Sequence, residues 1–161
     1  MGKQADAIVA ALEREVANAA KALILEIDRN LRRPPSRGGT PVDTGHARAS
    51  WVPSVGAPSS ALPDGTSSAD HDAGVAKVLA YALGQGALWL ANNAPYVNAL
   101  NYGHSKQAPA GFIERAIDLA LQTVEARYQG RIDLGGAAFR QSIGGQAAEN
   151  LASAYSPFGM I

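Results

Sequence analysis

Between Lys3 and Arg33 the chain carries neither glycine nor proline. Apolar residues at Ile8, Leu12, Val16, Ala19, Leu23, Ile27 and Leu31 recur every three or four positions, which aligns them on one face of an α-helix. The spacing predicts a single amphipathic helix of about seven or eight turns, roughly 40 Å, ended by Pro34-Pro35. A chain of 161 residues has the length of one domain. A rod of that length reaches beyond what one small core covers, and a neighbouring subunit could complete its burial.

Composition sharpens this expectation. Apolar residues make up 47%, but alanine dominates them and there are 17 glycines, so the elements should be thin and closely packed. Charged residues reach 17%, below the roughly 25% of an average soluble domain, and 14 basic groups balance 14 acidic ones. A neutral surface resists self-association weakly and lacks the basic excess of a free DNA-binding regulator. No cysteine is present, which excludes disulfides, thiolate metal sites and cysteine nucleophiles. Glu13, Arg14, Glu15 and Lys21 interrupt the first apolar stretch, unlike a signal peptide, and no uncharged window approaches the roughly 20 residues of a membrane span. The expectation is a soluble, cytoplasmically synthesised protein with no membrane partner.

Residues 34–45 read as a loop closing in a tight turn, with Asp43 and Thr44 placed to bond backbone amides and Gly45 supplying a positive φ. Ser50-Trp51-Val52 opens a strand to about Val55, where Pro53 favours an edge or a bulge. Gly56 to Gly74 has no hydrophobic period and reads as a mobile surface loop. A short helix is expected over 73–84, then a strand Leu88–Ala91 stopped by Asn92-Asn93. A helical turn follows Pro95, with Tyr96, Ala99 and Leu100 on one face and Gly103 at its end. Pro109 should begin a second main helix with the stripe Phe112, Ile113, Ala116, Ile117, Ala120, Leu121 and Val124. The fold class is α+β: two main helices on a small antiparallel sheet. Residues 1–130 form the domain and residues 131–161 a C-terminal extension. That extension either folds back on its own domain or forms an arm that docks on a partner, and Phe139, Tyr155 and Phe158, set among glycines, favour the arm.

Chemical motifs are sparse. There is no phosphate loop, and Gly84-Gln85-Gly86 enters a strand where a nucleotide fingerprint would leave one. Of the three histidines, only His71 has acidic neighbours, Asp70 and Asp72, and that trio reads as a solvated loop, so neither a metal nor a cofactor is expected. A hydrolase would have to combine Ser50 or Ser105 with His46 or His104 and Asp43, without the strained elbow such serines use. Carboxylates such as Glu13, Glu15, Glu26, Glu114, Asp118 and Glu125 fall on helix faces, where they aid solubility. Arg29, Arg32, Arg33 and Arg37 form one basic run. It serves either the C-terminal dipole of the first helix or a contact with nucleic-acid backbone or an acidic partner.

Two stretches carry more. Thr40-Pro41-Val42-Asp43-Thr44-Gly45-His46-Ala47-Arg48-Ala49-Ser50-Trp51 is the first. The second runs from Asn92-Asn93-Ala94-Pro95-Tyr96 through Asn101-Tyr102-Gly103-His104-Ser105-Lys106-Gln107-Ala108-Pro109-Ala110-Gly111-Phe112. In order and spacing they resemble the neck, or tail-completion, proteins of long-tailed double-stranded DNA bacteriophages, and residues 5–130 follow that layout. His46 stands where the family usually carries a basic residue, and Asn101 where an acidic one is common. The resemblance implies a non-enzymatic virion protein at the head–tail junction: a ring of six or twelve copies that lets DNA pass. Its neighbours would be other neck, portal-adaptor or tail-terminator proteins. It also implies structural roles for Asp43, Thr44, Gly45, Trp51, Tyr96, Tyr102, Gly103 and Pro109, with Trp51 and Trp89 filling the core and both tyrosines burying their rings. Ser105, Lys106 and Gln107 either face a neighbour or cap the second helix. The alternatives are an assembly factor at the tail end and a small phage hydrolase using Asp43, His46 and Ser50.

Overall fold

The computed structural model describes residues 2–129 and 131–142. Helix α1 spans Gly2–Leu31, two residues short of the expected end. Arg32 N–H still donates to the Asp28 carbonyl, but Arg33 already bonds Asn30 in a tighter turn. The chain then passes a 3-10 turn, Pro35–Arg37, into a short helix α2 (His46–Ala49) and strand β1 (Trp51–Val55). Helix α3 (Ala69–Leu79), strand β2 (Leu88–Asn92), helix α4 (Val97–Asn101) and helix α5 (Phe112–Tyr128) complete the order. Residues 136–142 are again helical. The architecture is the α+β arrangement expected, with a sheet of two antiparallel strands.

β1 and β2 pair in the register Trp51↔Asn92 through Val55↔Leu88. Pro53 faces Leu90 at a position where β1 owes β2 no amide, so its missing N–H leaves the ladder intact. One face of this ribbon meets α1 and α5. Leu31, Trp51, Ala94, Val97, Phe112 and Ala116 form the core, with Ile27, Leu90, Leu100 and Ile113 around it. α5 runs back along α1: Asn30 Nδ2 donates to the Ala116 carbonyl near one end, and Arg131 pairs with Glu15 near the other. α5 is 17 residues against the 30 of α1. Residues 2–14 therefore project roughly 20 Å past that pairing, leaving Ile8, Val9 and Leu12 53–67% exposed. The stripe buried further along by α5 is bare here.

Several expectations are corrected. α3 starts at Ala69 and ends at Leu79, so Asp70, His71 and Asp72 are helical. The preceding loop is pinned: Asn93 Nδ2 donates to the Ser59 and Ala61 carbonyls, and Ser54 Oγ to that of Ala57. Pro109 lies three residues before α5, whose first turn follows Gly111 at φ +78°. α5 ends on Gln129 in the left-handed region. Trp51 is buried, but Trp89 is 42% exposed, because its ring lies on the ribbon face away from the core. Tyr96 and Tyr102 are exposed as well.

Residues 131–142 dock on their own chain. Arg140 pairs with Asp118 at 3.1 Å and Glu125 at 3.6 Å, and Glu125 accepts from Gly136 N–H. Phe139 is half-buried there, and these contacts are not those of an arm. Tyr155 and Phe158 lie outside the described residues. Among the described residues, no helix is long and apolar enough to cross a membrane.

Candidate functional site

The two motif stretches fold against each other, and Thr40 starts the construction. Its side chain is fully buried; the hydroxyl donates to the Leu31 carbonyl at 2.8 Å and accepts from Trp51 Nε1 at 2.8 Å. Thr40 N–H also donates to Leu31. One residue thus ties the end of α1, the loop and the first residue of β1 together. Two positions later, Val42 N–H donates to Gln107 Oε1 at 2.8 Å, joining the first stretch to the second. Asn92 Nδ2 reaches the Ala47 carbonyl at 2.8 Å, a second join.

The turn itself departs partly from expectation. Thr44 Oγ1 accepts from His46 N–H at 3.4 Å, whereas Asp43 is exposed and its carboxylate bonds no backbone amide among the described residues. Gly45 has φ +88°, which favours glycine. His46 Nε2 lies 3.0 Å from the Pro63 carbonyl, so that nitrogen carries the proton and donates. Nδ1 is then left to accept from the Tyr96 hydroxyl at 3.4 Å. Pro41–Ala47, Tyr96, Leu100, Ser105 and Gln107 line an open cleft of about 400 Å³. Ser105 Oγ accepts from Gln107 N–H and so shapes the loop as well as lining the cleft, and Lys106 is exposed.

The Ser50 version of the hydrolase constellation does not assemble, and Asp43, His46 and Ser105 line one cleft without a side-chain hydrogen bond between them among the described residues. Ser50 is fully buried and its hydroxyl donates to the His46 carbonyl, not to the imidazole. The basic run is largely engaged. Arg29 and Arg33 pair with Glu26 at 3.3 and 3.8 Å, and Arg32 Nη1 donates to the Arg48 and Ala49 carbonyls at the end of α2. Arg37 is exposed and forms no ion pair among the described residues. Among the described residues no cluster of three or more His, Asp or Glu could hold a metal.

Two polar centres escaped the sequence reading. Asn101, which is buried, organises the start of α5: its Oδ1 accepts from Ile113 N–H, its Nδ2 donates to both oxygens of Glu114, and its carbonyl accepts from Gly111 N–H. An N-terminal cap is thus supplied from α4 rather than from the residue before the helix. The second centre is His71, which bridges α3 and α1. Nε2 stands 3.0 Å from Asp28 Oδ2 and Nδ1 3.0 Å from Asp72 Oδ1. Burial pushes the Asp28 carboxyl above its ordinary range, against the lowering by His71 and Arg32, and Asp28 Oδ1 has no partner among the described residues. The hydrogen bonds from His71 and then Ser68 hold the exposed Asp72 carboxyl below its ordinary range. The spacing 28 to 71 carries no periodic signal that could have announced this contact.

No family model, curated protein or solved structure matches the chain.

Proposed function

We propose that the chain is a non-enzymatic structural protein of the neck of a long-tailed double-stranded DNA bacteriophage. In this reading copies form a ring of six or twelve at the head–tail junction, contact neck, portal-adaptor or tail-terminator proteins, and leave a passage for DNA. The observation that carries it is the joining of residues 40–51 to 92–112 through Val42–Gln107 and Ala47–Asn92. The stretches that resemble the family are separate in sequence and become one surface in the fold, as a shared architecture requires. The bare N-terminal half of α1 supports assembly, since Ile8, Val9 and Leu12 continue a stripe that α5 covers further along. The engaged arginines fit a lumen that does not grip DNA, with Arg37 the remaining candidate for a backbone contact.

The test combines light scattering and negative-stain imaging of the purified protein with its detection in virions. Rings of one size and a place at the particle neck are expected. A monodisperse monomer that is missing from virions overturns the reading. Leu12→Lys, a charge placed on an exposed position, should disperse the rings while leaving the fold intact.

A further inference from the structure

The two edges of the β1–β2 ribbon are not alike. Gly56 N–H donates to the Ala87 carbonyl at 2.8 Å, and these residues extend the same register, so Ser54↔Trp89 and Val52↔Ala91 are the hydrogen-bonded pairs. Pro53 and Val55 on one strand, and Leu88 and Leu90 on the other, therefore direct their backbone polar groups outward.

The β1 edge is closed. Pro53 offers no N–H, and Gly74 of α3 sits so close that a Cβ there would overlap the Pro53 carbonyl oxygen. The β2 edge is open: the N–H and C=O groups of Leu88 and Leu90 have no hydrogen-bond partner among the described residues. Natural proteins usually blunt such an edge with charge, proline or a bulge. Leu88–Asn92 has none of these, and no Asp, Glu, Lys or Arg occurs from Val78 to Ser105.

We propose that β2 pairs with β2 of a second copy, antiparallel about a two-fold axis at Leu90, to give a four-stranded sheet. The sequence of the strand is complementary to itself in that register. Leu90 falls opposite Leu90 and Leu88 opposite Asn92, so each outward-pointing group of Leu88 and Leu90 gains a partner. Trp89 falls opposite Ala91, large against small, and no like charges meet. The closed β1 edges then stop the sheet at four strands. An overlap of five residues, about 17 Å, is at the small end of specific interfaces, so pairing is concentration-dependent. The contact is isologous, whereas a ring closes through heterologous contacts, so it goes beyond the neck reading and can fail separately from it.

Amide hydrogen exchange followed by NMR at low-micromolar and near-millimolar concentration tests it. Leu88 and Leu90 amides gain protection on concentrating, while Trp89 and Ala91, which donate to β1, are protected throughout. Leu88→Pro removes one outward N–H per copy without touching the β1–β2 ladder, and should weaken the dimer roughly tenfold or more with circular dichroism unchanged. Trp89→Lys should weaken it too, by placing two cations diagonally across the seam. Exchange at Leu88 and Leu90 that is indifferent to concentration overturns the proposal, as does a folded Leu88→Pro variant that dimerises like the wild type. Should that variant fail to fold, the exchange measurement on the wild type decides. Rings that form while these amides stay unprotected would retain the neck reading and remove this one.

Discussion

Thr40→Val is the most incisive perturbation of the joined motif stretches. Valine keeps the shape and removes the hydroxyl, so the Thr40 N–H bond to Leu31 survives while Trp51 Nε1 loses its acceptor inside the core. Trp51 is 5% exposed, so water does not readily replace the lost partner. An unsatisfied buried donor costs about 1–3 kcal/mol. In a domain of this size that corresponds to a fall in Tm of roughly 3–10 °C. Denaturant unfolding, followed by tryptophan fluorescence, measures the loss at constant m-value. Thr40→Ser should keep the network and lose only a methyl. Trp51→Phe removes the stranded donor, so the double variant Thr40→Val/Trp51→Phe should cost less than the sum of its parts. A Thr40→Val loss below about 0.5 kcal/mol, or additive single variants, would refute the claim that this hydroxyl organises the turn.

Four further outcomes follow from particular contacts. The raised Asp28 carboxyl favours the folded state most when protonated, below its ordinary range, and that contribution is lost as pH rises through the native value. Asp28→Asn, whose Nδ2 can donate to His71 Nε2 as a protonated carboxyl would, should therefore gain on the wild type as pH rises from acid to neutral; parallel stability curves would count against it. Asp72 behaves oppositely, its lowered carboxyl stabilising above the ordinary range and failing as pH falls, so Asp72→Asn should be harmful at neutral pH and indifferent in acid. Gly74→Ala would gain about 1 kcal/mol as a helix residue, but its methyl overlaps the Pro53 carbonyl, and calorimetry should show a net loss of roughly 1–3 kcal/mol. Asn101→Ala strips the cap from α5 and should cost about 1–2 kcal/mol, with faster exchange of the Ile113 amide as its signature.

What could be read from the sequence is what depends on neighbours along the chain. The periodic stripes announce α1 and α5, Trp51-Val52 opens β1, a short apolar run stopped by Asn92-Asn93 marks β2, and Pro53 announces an edge. The failures share a cause. The start of α3 is hidden because Asp70, His71 and Asp72 look solvated until Asp28, on a helix far away in sequence, meets the imidazole. Pro109 looks like a first-turn residue because α5 lacks a local cap, its cap coming from Asn101. Trp89 is expected in the core beside Trp51, yet strand alternation gives that face to Leu90, and the ring is left outside. In each case a polar partner or a face choice fixed by tertiary contact outweighed local propensity. The same logic bears on function. The PVDTG turn and the Ser105–Gln107 loop each look like ordinary turn chemistry alone, and only the Val42–Gln107 bond turns them into one surface. An assembly role is legible in such a chain through the surfaces that its own domain leaves uncovered. Here these are the N-terminal half of α1, which α5 is too short to reach, and the β2 edge, which lacks the closure given to β1.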